Sequence, residues 1–209
     1  MRKLLLVLPL LAAAPMAANE GPHDGHGAMP SKVVDVSKIS GGNYVVESTH
    51  ALIGWRVDHF GFNDYFGTFG NPTGTLTLDK ADPAKSSVSI DIPISGLVTA
   101  SAKLSGHMMS KDFFNSTVHP SAKFVSTKVM VDGQKAMIHG DLTMLGVTKP
   151  VVLDAKLSGA GANPYNKKET VGFHARAKIK RTDWGMGYAV PAIGDMVELD
   201  ISVAFEKAA

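Results

Sequence analysis

From Asn43 onward, apolar side chains recur at every second position, and this period of two constrains the fold more than any other feature of the chain. Val88, Ile90, Ile92 and Ile94 alternate with Ser87, Ser89, Asp91 and Pro93. Phe173, Ala175, Ala177 and Ile179 alternate with His174, Arg176, Lys178 and Lys180. Val197, Leu199, Ile201, Val203 and Phe205 alternate with Glu198, Asp200, Ser202, Ala204 and Glu206. Successive side chains of a strand point to opposite faces. Each run therefore offers one apolar face and one wet face, as an antiparallel strand with one side on a core does.

The same reading predicts strands over 43–47, 52–59, 66–78, 123–131, 136–145 and 151–157. Turn signals separate them: Asp132-Gly133 for a tight hairpin, Asn71-Pro72-Thr73-Gly74 for a bend or bulge, and Asp82-Pro83 for a loop. Residues 159–168, with Asn163-Pro164, read as a longer loop. Roughly eight or nine strands in one domain over 42–207 are too many for a small open sheet. Closure into a barrel leaves no exposed edge and is favoured on that ground, with a two-sheet sandwich as the competing architecture. One stretch breaks the alternation. Over 101–115, Leu104, Met108, Met109 and Phe113 fall at helical intervals, Ser101 suits an N-cap, and Pro120 blocks continuation. The fold class expected is all-β, with one short α-helical insertion.

The start of the chain has a different character. Met1-Arg2-Lys3 is positive, residues 4–14 are apolar, and Pro15-Met16-Ala17-Ala18 is small and polar-flanked. That order makes residues 1–18 a secretory signal peptide, since the apolar run falls short of the about 20 residues that span a bilayer. Residues 19–41 read as a flexible linker rich in Gly, His, Pro, Ser and Lys. The expected location is the periplasm, with a protein soluble after cleavage. Lys plus Arg total 21 against 19 Asp plus Glu, and no dense basic cluster marks a nucleic-acid partner. The absence of cysteine removes disulfides, thiol nucleophiles and thiolate metal sites.

Four segments, in this order, carry a resemblance. The first runs from Thr49-His50-Ala51 through Ile53, Trp55 and Val57 to His59-Phe60-Gly61, then through Phe66-Gly67-Thr68-Phe69 to Gly74-Thr75-Leu76-Thr77-Leu78-Asp79. The second is His107-Met108-Met109-Ser110-Lys111-Asp112-Phe113-Phe114, with His119-Pro120 and Phe124-Val125-Ser126 after it. The third is Gly140-Asp141-Leu142-Thr143-Met144-Leu145-Gly146-Val147-Thr148-Lys149-Pro150-Val151, and the fourth Arg181-Thr182-Asp183-Trp184-Gly185-Met186. The chain resembles the YceI-like family of lipocalin-like exported proteins that bind polyisoprenoid or related lipids. The resemblance implies an eight-stranded antiparallel barrel around an elongated apolar tunnel. The candidate lining draws on Ile53, Trp55, Val57, His59, Phe69 and Phe124 on strands, with plain core filling the alternative for any one of them. Met108, Phe113 and Phe114 on the helix, with Met144, Phe173 and Trp184, complete it. Aromatic and methionine side chains suit such a lining, being large and adaptable.

Catalytic patterns are missing: no Gly-x-Ser-x-Gly elbow, no phosphate-cradling loop and no dinucleotide fingerprint occur. Asp58 and Asp64 flank a predicted turn and read as solvated, while Arg181 and Asp183 read as a pair that fixes a loop. The expectation is therefore a non-catalytic protein without cofactor that binds a long isoprenoid, quinone-like or fatty-acyl chain, with a homodimer compatible. Two other readings stand beside it. One is a structural or stress-protective protein with a filled barrel. The other is metal capture by His23, His26 and Met29 in the linker.

Overall fold

The computed structural model describes residues 35–209, so the expected signal peptide and most of the expected linker lie outside the described residues. In chain order the elements are β1 (Gly42–Val46), β2 (Leu52–His59), β3 (Asn63–Gly70), β4 (Thr73–Leu78), β5 (Ser87–Pro93) and β6 (Leu97–Thr99). There follow the helix α1 (Ala102–Met108), then β7 (Ser121–Asp132), β8 (Lys135–Met144), β9 (Val147–Ala162), β10 (Glu169–Lys180) and β11 (Ile193–Lys207).

All pairings are antiparallel. Strands β7 to β11 meander as successive neighbours, and β11 then meets the start of the domain. Its first part pairs with β2 (Leu199 opposite Trp55) and its last part with β1 (Phe205 opposite Val46). The segments β1 and β2 thus lie end to end along β11 as one bent strand. Segments β4 and β3 pair with them and form a second bent strand, and β5 and β6 form a third. Three bent strands and the five long ones close into an eight-stranded antiparallel barrel. The β2–β3 turn and α1 mark its upper end; the β7–β8 hairpin and the start of β10 mark its lower end.

Local chemistry makes the bends. Between β1 and β2 the Glu47 carboxylate accepts from the backbone of Thr49 at 3.1 Å and His50 at 3.2 Å, which turns the chain. Between β3 and β4, Asn71 sits at φ 55° and the buried Pro72 has no N–H to give the ladder. The strand expected over 66–78 is therefore two. Between β5 and β6 a 3₁₀ turn at Ile94–Gly96 intervenes, and the three-residue β6 is too short to show a period. The loop expected over 159–168 is shorter than that, because β9 extends to Ala162 before turning.

The helix starts as expected: the Ser101 hydroxyl accepts from the Leu104 N–H at 3.3 Å. It ends at Met108 rather than near Asn115. Local bonds stop it. Ser110 N–H bonds back to His107, Asp112 N–H goes to the Ser110 hydroxyl, and the Asp112 carboxylate takes His107 Nε2 at 3.0 Å.

Burial follows the period of two. A lower cluster of Tyr44, Val46, Leu76, Val171 and Phe205 is packed tight, with Tyr44 and Val171 at 0% exposure. The one Tyr44 hydroxyl proton is shared between Ser40 O at 2.6 Å and Glu169 Oε1 at 2.8 Å. Burial, with the Glu169 charge adding to it, pushes the phenol up to about 12 from its usual 10. The neutral phenol is the form the fold favours, so its contribution is intact below pH 10 and lost as pH rises toward 12. Between those values the protein loses on the order of 2–3 kcal/mol that a Tyr44→Phe variant has no means to lose. Urea unfolding of both proteins across that range checks this; parallel pH curves contradict it.

Candidate functional site

Inward positions of β2 are Ile53, Trp55, Val57 and His59, and those opposite on β3 are Tyr65, Gly67 and Phe69. Together with Leu153 on β9, Ile179 on β10, and Leu199 and Ile201 on β11 they surround one cavity of about 1070 Å³. Its lining reaches the upper end at His59, His107 and Tyr188 and the lower end at Gly133, Gln134 and Leu78. The volume lies at the top of the about 300–1,000 Å³ usual for small-molecule sites. Val57, Ile92, Leu153, Leu199 and Ile201 point inward yet are only half-buried. Their free faces look onto the cavity and not onto other side chains.

Glycines make the room. A Cβ at Gly67 would fall 2.1 Å from Cζ2 of Trp55, and one at Gly140 would fall 2.3 Å from Cζ of Phe124. Each large ring therefore lies against the wall over a glycine of the adjacent strand and stays out of the lumen. The Trp55 indole is 7% exposed, and its Nε1–H meets no acceptor among the described residues.

The upper mouth is aromatic. His107, Phe113 and Tyr188 contact one another with ring centroids 5.1–5.2 Å apart, joining α1 to the segment after β10. His59 meets Phe60 edge-on at 4.4 Å. Arg181, 4% exposed, braces the segment behind this rim. Its Nε donates to Gly194 O at 2.9 Å, Nη1 to Met186 O and Tyr188 O at 2.9 Å, and Nη2 to Ile193 O at 3.0 Å. Burial lowers its pKa, opposed by the charge of Asp195. The expected Arg181–Asp183 pair is replaced by these carbonyls, which satisfy a buried guanidinium without a direct carboxylate bond.

All the lining residues expected from sequence face the cavity except Trp184. Trp184 is 2% exposed, in a 3₁₀ turn behind the wall, and its indole N–H donates to Leu142 O at 3.0 Å. A buried indole needs such an acceptor, and the carbonyl available lies in the sheet and not in the lumen. Sequence reasoning missed Leu153, Leu199 and Ile201 as lining, although their alternation was visible. Asp58 and Asp64 lie outside the cavity, Asp58 accepting from Gly61 N–H at 2.9 Å and Asp64 from Arg56 at 3.0 Å. Among the described residues no group of three or more His, Asp or Glu could hold a metal. His23, His26 and Met29 lie outside those residues.

A closed eight-stranded barrel with a hollow apolar interior is the architecture of lipocalin-like binding proteins. Residues 44–205 match the YceI-like domain model, and the chain belongs to that family. Protein YceI of Shigella flexneri is 41% identical over 157 residues, covering 75% of this chain and 82% of that protein. The crystal structure of Burkholderia cenocepacia BcnA is similar with a TM-score of 0.68 at 20% identity, over 76% of this chain and 98% of that one. A polyisoprenoid binding domain from Saccharophagus degradans, implicated in plant cell wall breakdown, gives 0.60 at 12% identity, over 81% and 100%. At such identities these two structures bear on the fold alone.

The Trp55–Gly67 fit is testable. Gly67→Ala places a methyl inside the indole's position and forces the ring toward the lumen. The expected result is a loss of about 1–3 kcal/mol in stability together with shifted tryptophan emission. Unchanged emission and unchanged unfolding contradict the fit.

Proposed function

We propose that the protein is a non-catalytic carrier or reservoir for one long apolar chain, of isoprenoid, quinone-like or fatty-acyl type. The observation that carries this reading is the cavity: it has lining residues at both ends of the barrel, and aliphatic and aromatic side chains dominate its wall. Each buried methylene contributes about 0.8 kcal/mol, so a chain of that kind binds tightly without one hydrogen bond. The barrel fold shared with a polyisoprenoid binding domain gives room for a ligand of that shape. The positive start, the short apolar run and the small residues of 1–18 support export to the periplasm. A structural protein with a filled barrel has no use for half-buried aliphatic side chains around an open lumen.

Solvent extraction of the purified protein, followed by mass spectrometry, tests the reading. Long-chain apolar lipid should be recovered at close to one molecule per chain. A Leu199→Trp variant, which fills the lumen where Leu199 now faces open space, should carry less than about a tenth as much. Equal amounts in both proteins, or none in either after exposure to lipid, contradict it.

A further inference from the structure

Residues 35–41 precede the family-matched range of 44–205, yet they are tied down across the foot of the barrel. The ties come from several sides. The Glu169 carboxylate at the start of β10 takes Ser40 with both oxygens: Oε1 accepts from Ser40 N–H at 2.7 Å and Oε2 from the Ser40 hydroxyl at 2.6 Å. Tyr44 shares its hydroxyl proton between Ser40 and Glu169, and Lys207 of β11 donates to Gly41 O. Ile39 packs against the lower apolar cluster. Beyond it, the 3₁₀ turn Val36–Lys38 rests against β9, while Lys80, after β4, donates to Ser37 O at 2.9 Å.

In the barrel order, β4 lies on one side of β1, while β11, β10 and β9 follow in turn on the other. A segment fastened to both sides spans the opening between them. Val36, Ser37, Ile39 and Ser40 face into the cavity from that position. We infer that residues 36–40 form a stop at the foot of the tunnel and set the longest chain the barrel accepts, an inference that rests on the carrier reading above. Glu169 is its latch. The two carboxylate oxygens match the two donors of Ser40, and those bonds draw its pKa below the ordinary range against the opposing effect of burial. Affinity then rises about fourfold for each methylene that enters the tunnel, until the chain meets Ile39. Further carbons remain in water at the upper mouth and add nothing.

The test uses the whole chain, incubated with phosphatidylcholine vesicles that hold an equimolar series of 1-alkanols. Mass spectrometry of the re-isolated protein reads which lengths are retained. The wild type should show an upper cut-off in length. Ile39→Gly should move the cut-off up by as much as about four carbons, the size of the side chain removed. Ile39→Trp should move it down. Glu169→Gln, which offers Ser40 one acceptor oxygen in place of two, should blur or raise it. Ile39 precedes β1 and Glu169 is the first residue of β10, and thermal melts of each variant verify that the barrel stands. A cut-off unmoved in all three variants, with alkanols still bound, overturns the stop and leaves the carrier reading intact. Retention of no alkanol by the wild type overturns both.

Discussion

The inner wall is apolar and does not touch itself across the middle, and this unfilled contact governs the rest of the structure. Packed interiors normally reach the density of organic crystals, so a barrel that leaves aliphatic side chains facing a void forgoes dispersion contacts. Here the shortfall runs along the lumen, from His59 and Tyr188 at the upper end to Gly133 and Ile39 at the lower. At the foot, Tyr44 and Val171 are fully buried behind the wall. Arg181 supplies rigidity at the other end through its four backbone carbonyls. These contacts brace the two ends of the lumen.

The three bent strands serve the same end. A barrel of long straight strands would need every residue of β1 to β6 to follow one register. The breaks at Glu47, at Asn71-Pro72 and at Ile94–Gly96 divide these strands into upper and lower segments, and α1 packs beside β6. The helix places Met108 in the core, and the turn after it adds Phe113 and Phe114 to the cavity wall. Flat placement of Trp55 over Gly67 and of Phe124 over Gly140 keeps bulk at the wall. Loss of either glycine pushes its ring toward the lumen.

Much of this was legible in the residues. Alternation along 87–94, 173–180 and 197–206 gave the strands and their inward faces, because a period of two survives any register. Ser101 and Pro120 bounded the helical stretch. The rest depended on contacts that leave no local mark. Asn71-Pro72-Thr73-Gly74 signalled a bend within Phe66 to Leu78, but nothing there shows that Pro72 is buried or that the bend divides two strands. The acceptor for Trp184 lies forty-two residues away on Leu142, so its removal from the lining followed only from the fold. Arg181 looked like half of an ion pair because backbone carbonyls carry no letter in a sequence. The family resemblance, carried by four separated segments, brought the strand count that periodicity left open.

Whether the lumen takes a chain is most directly read by the one tryptophan that lines it. In a Trp184→Phe variant, Trp55 is the sole indole, and a long-chain alcohol brominated along its length quenches an indole it touches. Quenching should saturate at one alcohol per protein. Emission that stays constant through saturation, or that falls only in proportion to free alcohol, would show that no chain enters the barrel.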